Sequence, residues 1–417
     1  MKTTCVYCGK NPVPHRFYWY SESLNILLTG PRQKFLYNPL MDFLARRRFS
    51  EKLSNFFWDL GQKLGVVKFR DDIKLCKIRR AQVLWEEAIR RSIDMKELVV
   101  FGKAVDTYSA SKKKFQIPNS KFQTFKTIIF NGLPRPAGYV NKWLDLMDDK
   151  WLLKQELMKN YLPVPDGGSA SNYNQALKIF NRIQKPVIVK PRAGSRGRHS
   201  ATFIFTADEL KQAVKIAQQL CHWVMVEEQL KGPVYRATII DGHLAGVLRG
   251  DPPFVTGDGQ NSIDNLIKQK NQAAHPGVKD IVVSGEMERF LQRQMEVKIR
   301  KNSKFQIPNS KPFAYVPEKG ESVVLSEKIG VNYGGSSSED YDICHSDNKE
   351  LFIRAAKILG DPIAGFDFII PDITVSWKNQ KCGFIEVNSL PFINLHHDPL
   401  LGTPRNAAAL VWDMIGW

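Results

Sequence analysis

From about residue 148 to the C-terminus, short apolar β-like runs alternate with amphipathic helical stretches. A chain punctuated this way buries its apolar faces by layering helices on sheets. A helix begins near Asp148-Asp149 and stops before Pro163 and Pro165, where the ring removes a backbone donor. A second helix, about 171–184, leads to a strand over 186–190, a Gly-rich loop and a strand over 201–205. A helix from 208 to about 220 and a strand over 223–227 follow. Further strands are expected at 234–240, 244–249, 363–370 and 383–388. The expected fold class is layered α/β.

The 417 residues suffice for two or three domains, and 43% apolar with 24% charged residues argues against wholesale disorder. No apolar run is long enough to span a bilayer, so no transmembrane segment is expected. The first fifteen residues lack the apolar stretch of a secretory signal, and six scattered cysteines fit a reducing compartment, so a cytoplasmic location is expected. The net charge of +18 is uneven: residues 1–150 carry 28 Lys/Arg against 14 Asp/Glu. Such a basic part could face an anionic partner, and Arg46, Arg47 and Arg48 sit inside an amphipathic pattern there. Positions 39–93 read as helices, while 97–140 changes to short β-like runs ending in the loop signal Gly132-Leu-Pro-Arg-Pro136. Cys5-Val-Tyr-Cys8 is half of a metal site, and His15 and Cys76 could complete a Zn²⁺ site by type. The octapeptide KFQIPNSK occurs at 114–121 and again at 304–311, which reads as an inserted element in two surface loops or as a shared binding hairpin.

Two segments carry chemistry. In Val187-Ile-Val-Lys190-Pro-Arg-Ala-Gly194-Ser195-Arg-Gly197-Arg198, an apolar strand delivers one lysine to a loop with two glycines. The lysine can meet a phosphate as a point charge, and the glycines let backbone N–H groups approach its oxygens. The lysine precedes the glycines, so this is not a Walker loop. The second segment pairs Ala364-Gly-Phe366-Asp367-Phe368-Ile-Ile370 with Gly383-Phe-Ile385-Glu386-Val387-Asn388. Alternation sends Phe366, Phe368 and Ile370 to one face with Asp367 opposite, and separates Ile385 and Val387 from Glu386 and Asn388. Asp367, Glu386 and Asn388 then offer three hard oxygen ligands of the kind Mg²⁺ takes beside phosphates.

With Lys150 in Asp-Asp-Lys-Trp, Glu227 in Val-Met-Val-Glu-Glu, and Asn332 before Gly334-Gly335, the order of these motifs resembles the ATP-grasp superfamily over roughly 142–417. The stretch Val255-Thr-Gly-Asp-Gly259 with Ile263, Leu266, Ile267 and Asn271 is similar to the ATP-grasp part of cyanophycin synthetase and of bifunctional bacterial glutathione synthetase. So is the ending Glu386-Val-Asn388 to Asn406.

The resemblance implies two α/β subdomains, 142–231 and 232–417, gripping ATP, after a largely helical basic region over 1–141. Lys150 and Lys190 would hold the α- and β-phosphates, and the loop with Gly194, Ser195 and Gly197 would fold over them. Glu227 would sit in the adenine hinge, and Asp367, Glu386 and Asn388 would bind two Mg²⁺ ions. Arg236 and Arg249 would lie near the phosphates or a substrate carboxylate. The implied activity is ATP- and Mg²⁺-dependent ligation of a carboxylate to an amine through an acyl phosphate, on an amino-acid or peptide-like substrate. Val234 stands where relatives carry an acidic ribose ligand, which would weaken ATP binding or shift that contact to Glu228. Phe392 and Asn394 depart from the cyanophycin synthetase pattern. The competing expectation is a non-catalytic ATP-binding scaffold whose basic region binds nucleic acid or an acidic surface; an oligomer is compatible with either.

Overall fold

In the computed structural model, the described residues are 5, 7–8, 12–28, 60–61, 63–113, 125–139, 149–194, 197–301 and 311–417. The triple arginine 46–48, helical positions 39–59, Asp148, Ser195 and both octapeptide copies except Lys311 lie outside them. Among the described residues, no helix is long and apolar enough to cross a membrane.

After α1 (His15–Leu28), the N-terminal part forms β1 (Val67–Arg70), α2 (Arg79–Arg90), β2 (Asp94–Val100), β3 (Lys103–Lys113) and β4 (Phe125–Asn131). The four strands make an antiparallel sheet in sequence order. A largely helical region is therefore not what the described residues form. The strand runs noted near 98–101 and 127–130 belong to this sheet, and Ile73–Leu75 is only a 3-10 turn before α2. Nor is this part a loose appendage. Leu84, Trp85, Met95, Tyr108 and Leu133 share one core with Ile363, Val411 and Trp412 near the other end of the chain. Trp412 Nε1 donates to Leu84 O at 3.0 Å, so the largest apolar side chain there also satisfies its one donor.

The next unit contains α3 (Lys150–Lys159), β5 (Gly167–Ala170), α4 (Tyr173–Arg182), β6 (Val187–Pro191), β7 (Ala201–Ile204), α5 (Ala207–Ala217) and β8 (Val224–Glu228). Its sheet has the order β5-β8-β6-β7 and is antiparallel throughout. Helices α4 and α5 lie on one face, burying Ala176, Phe180, Leu210 and Val214 against Val187, Val189, Val224 and Val226. Thr206 and Glu209 form a reciprocal capping box that sets the start of α5.

The larger sheet has the order β15-β14-β9-β10-β13-β16. It comprises β9 (Val234–Ile240), β10 (His243–Asp251), β13 (Ser336–Glu339), β14 (Ile363–Ile369), β15 (Gly383–Asn388) and β16 (Leu401–Gly402). Only β13 and β16 run parallel, so strand–helix alternation has produced antiparallel sheets. One face packs on α8 (Ser346–Leu359), joining Phe352, Phe366, Phe368, Phe384 and Leu359. Each such side chain contributes about 1.5–3 kcal/mol on burial. Phe368 and Phe384 lie 4.8 Å apart between ring centroids.

The signature residues at 255–271 build a small satellite of β11 (Phe254–Thr256), α6 (Ile263–Gln272), α7 (Gly285–Lys301) and β12 (Ser322–Val324). Ile263, Leu266 and Ile267 fill its core. Asn271 clamps Ile281, donating to its carbonyl at 3.1 Å and accepting from its N–H at 2.8 Å. A Cβ on Gly257 would lie 2.2 Å from Glu318 O. This signature is thus a folding device.

Candidate active site

A row of charges crosses the face of the large sheet turned away from α8. Arg236 on β9 stands in register with Asp367 on β14, and Asp367 stands in register with Glu386 on β15. Arg236 Nε and Nη2 grip the two Asp367 oxygens, both at 2.8 Å. This fork holds the guanidinium charged, raising its pKa, and fixes the carboxylate plane. Beyond Glu386, Asn388 lies on the same strand with Nδ2 buried and without a partner.

Strict alternation breaks at one residue of β15. The pairing steps from Asp367↔Glu386 to Phe368↔Phe384, leaving Ile385 as the extra residue of a β-bulge. Phe384 and Val387 therefore both face the core, whereas strict alternation paired Ile385 with Val387. The bulge twists β15 where Glu386 must leave the core side.

Opposite this row, β6 and α3 supply cations. Lys150, Lys190, Gly194, Gly197 and Glu386 line one small cavity of about 30 Å³. Burial lowers the Lys150 pKa, with the Glu386 charge opposing that fall. Burial raises the Glu386 pKa, and Lys150 opposes it in turn. Lys150 Nζ donates to Gly194 O. Asp149 caps α3, accepting from Trp151 N–H at 2.9 Å and Leu152 N–H at 3.2 Å. Its oxygens also receive Arg192 Nε and Nη2 at 2.7 and 2.6 Å. Sequence reasoning passed over Asp149 and Arg192, which tie the lysine's helix to the loop; an Asp just before a helix was the available signal.

Glu227 anchors a buried ion-pair network. Its carboxylate is buried and lies 2.7 Å from Lys190 Nζ and 2.6 Å from Lys154 Nζ. The Lys154 contact is an ion pair without good hydrogen-bond alignment. Burial alone would raise the Glu227 pKa, yet Lys190 and Lys154 hold it down to about 2. Burial lowers the Lys154 pKa, and the Glu227 charge opposes the fall. Glu227 is also in register with Gly167 on one side and Ile188 on the other, inside the sheet. The carboxylate thus positions the two lysines. Glu228 is engaged as well: it accepts from Asp166 N–H at 3.0 Å and pairs with Lys381. The ribose contact expected to move to Glu228 finds it occupied.

Arg249 and Asn332 lie elsewhere. Arg249 is half-exposed, donates Nε to Asp251 at 2.8 Å, and lines a cavity of about 770 Å³ with Lys270, His275, Lys279 and Gly335. Asn332 is exposed on the 3-10 turn Val331–Tyr333, next to Gly334 on the rim of that cavity. This cavity and the lysine cavity have no lining residue in common. Cys76, offered above as a partner for Cys5 and Cys8, is buried in the N-terminal core with Sγ directed at Ile78 O, so it cannot join them.

No protein-family model matches the chain. It is 27% identical over 273 residues to the glutathione biosynthesis bifunctional protein GshAB of Clostridium perfringens, covering 65% of this chain and 34% of that protein. It is 30% identical over 275 residues to cyanophycin synthetase of Geminocystis herdmanii, covering 65% and 30% respectively. The crystal structure of a bifunctional glutathione synthetase from Pasteurella multocida aligns with 81% of this chain and 43% of that one, at 22% identity and a TM-score of 0.47. The chain thus spans about a third of the length of the curated relatives it matches. Over about two thirds of its length, the chain is therefore similar in sequence to part of the bifunctional glutathione-biosynthesis protein and of cyanophycin synthetase.

Proposed function

We propose that the protein uses ATP to activate a carboxylate as an acyl phosphate and passes the acyl group to an amine, releasing ADP and phosphate. The observation that carries this is the facing arrangement of Lys150 and Lys190 with Glu386, continued by Asp367 and Asn388. Three oxygen donors on one sheet face fit Mg²⁺, and the orphaned Asn388 Nδ2 fits an acceptor such as a phosphate oxygen. Asp367, Glu386 and Asn388 would hold the metal, which when bound neutralises charge on a transferring phosphoryl group.

The chain's own groups do the rest. Lys150 and Lys190 bind phosphate oxygens, exchanging their present partners Gly194 O and Glu227 for the nucleotide. Arg236 fixes Asp367 and adds a permanent positive charge beside the site. Arg249, with Lys270 and Lys279, gives the larger cavity a basic lining suited to a substrate carboxylate. The size of that cavity, about 770 Å³, suits an amino-acid or peptide-like substrate.

The test incubates the full chain with ATP, Mg²⁺ and pools of carboxylates and amines, reading ADP and new amides by mass spectrometry. With a carboxylate labelled in ¹⁸O, one labelled oxygen should appear in the released phosphate. Labelled AMP in its place would overturn the acyl-phosphate route. Tight ATP binding with no product from any pool would favour the non-catalytic scaffold.

A further inference from the structure

We propose that Cys5, Cys8, His15 and His199 form a structural Cys2His2 zinc site that clasps the N-terminal segment to the loop following Lys190. The donor atoms of these four side chains all lie within 4.8 Å of one another. Cys8 Sγ lies 3.2 Å from His15 Nε2 and 3.4 Å from His199 Nε2, and Cys5 Sγ lies 3.4 Å from His199 Nε2. A tetrahedral ion with bonds of about 2.3 Å to sulfur and about 2.0 Å to nitrogen separates such atoms by about 3.5 Å. Donors already at nearly that spacing need little rearrangement to close on a metal.

The surroundings are built to hold the donors. Cys8 and His199 are 3% and 1% exposed, so bulk water has little access to them. The other nitrogen of His199, Nδ1, lies 2.8 Å from Ile216 O, a contact that fixes the ring and directs Nε2 inward. Cys8 N–H donates to Cys5 O at 3.2 Å, closing the knuckle. His199 N–H donates to Tyr7 O at 3.1 Å, pinning the knuckle to the loop. The His199 backbone sits at φ +54°, a costly conformation for a residue with a side chain. Four protein ligands, two buried and two half-buried, describe a closed, structural site.

The site's placement gives it a task. His15 opens α1, and α1 lies against the phosphate loop: Ile26 packs on Ala193 and Cys221, and Ser23 Oγ accepts from His222 N–H at 3.0 Å. A Cβ on Gly194 would lie 3.5 Å from the Tyr18 ring. His199 comes two residues after Gly197, so a metal there would tether the C-terminal end of the loop whose other end carries Lys190. The inference rests on the four donors alone, and it holds whether or not the proposed ligase chemistry does.

Metal content of the full chain, purified under reducing conditions without chelator, tests the site directly. One zinc per chain is expected, and Co²⁺ exchanged for it should show the d–d bands of tetrahedral coordination with thiolate charge-transfer absorption. Cys8→Ser and His199→Ala should lose the metal, whereas Cys76→Ser should retain it in full. Should His199→Ala fail to fold, His199→Cys supplies a replacement ligand: it should keep the zinc and strengthen the thiolate–Co²⁺ absorption. A wild-type chain that holds no stoichiometric zinc even after reconstitution with Zn²⁺ overturns the proposal. So does an unchanged Co²⁺ spectrum in either His199 variant.

Discussion

Replacing Glu227 with Gln should remove the charge that holds Lys154 and Lys190 while keeping the side chain's shape. Both ammonium groups lie within 2.7 Å of the carboxylate, and Lys154 and Glu227 side chains are each only 4% exposed, so solvent screens the pair little. An ordinary glutamate titrates near 4.5, and the lysines hold this one to about 2. At about 1.4 kcal/mol per pH unit, that difference makes the charged network worth about 3 kcal/mol. Because the folded carboxyl is held below the unfolded one, this stabilisation is complete above about pH 4.5 and drains away as pH falls toward about 2. Urea unfolding of wild type and Glu227→Gln at pH 7 should therefore differ by about 3 kcal/mol. The gap should narrow steadily between about pH 4.5 and the acid end of the range. Equal stability at pH 7, or curves that stay parallel through that window, would refute the reasoning and place the lysine charges elsewhere.

Four further outcomes follow from the structure. Glu386→Gln should leave unfolding free energy within about 1 kcal/mol, because burial already favours the neutral form, while ADP release falls at least about 1000-fold. Asp367→Asn should add a stability loss of about 3 kcal/mol by breaking the Arg236 fork, and wild-type turnover in both variants would remove the site. Arg249→Ala should raise KM for the carboxylate substrate about 10- to 100-fold with little change in kcat, which steady-state kinetics will read directly. Gly246→Ala should cost about 3 kcal/mol in chemical unfolding, since the new Cβ would sit 2.3 Å from His396 Nδ1 and 2.8 Å from Glu339 Oε2. Those two atoms form a buried 2.6 Å pair, and His396 Nε2 reaches Thr238 Oγ1 at 2.7 Å, leaving the network no slack.

Much of this protein is written locally. Prolines 163 and 165 end α3, Thr206 and Glu209 start α5, and apolar alternation places β9 and β14 at nearly the expected residues. Asp367 opposite Phe366 and Phe368 follows from the two-residue period of a strand, and Lys190 at the edge of an apolar run followed by glycines follows from composition. Such features depend on neighbours a few residues away, so a sequence read alone can supply them. Other features depended on pairings across the chain. The bulge at Ile385 exists only because β15 is matched against β14, and it reverses the face that alternation assigned. Glu227 anchors two lysines because the sheet brings Lys190 and α3 brings Lys154 to its carboxylate. His199 joined Cys5 and Cys8 across 194 residues, a distance over which no ligand spacing can be read. The sequence by itself determined which residues could serve, through periodicity, capping and side-chain chemistry. Which of them meet was decided by the tertiary structure, because ion pairs and metal ligands depend on distances of a few ångströms that sequence separation does not encode.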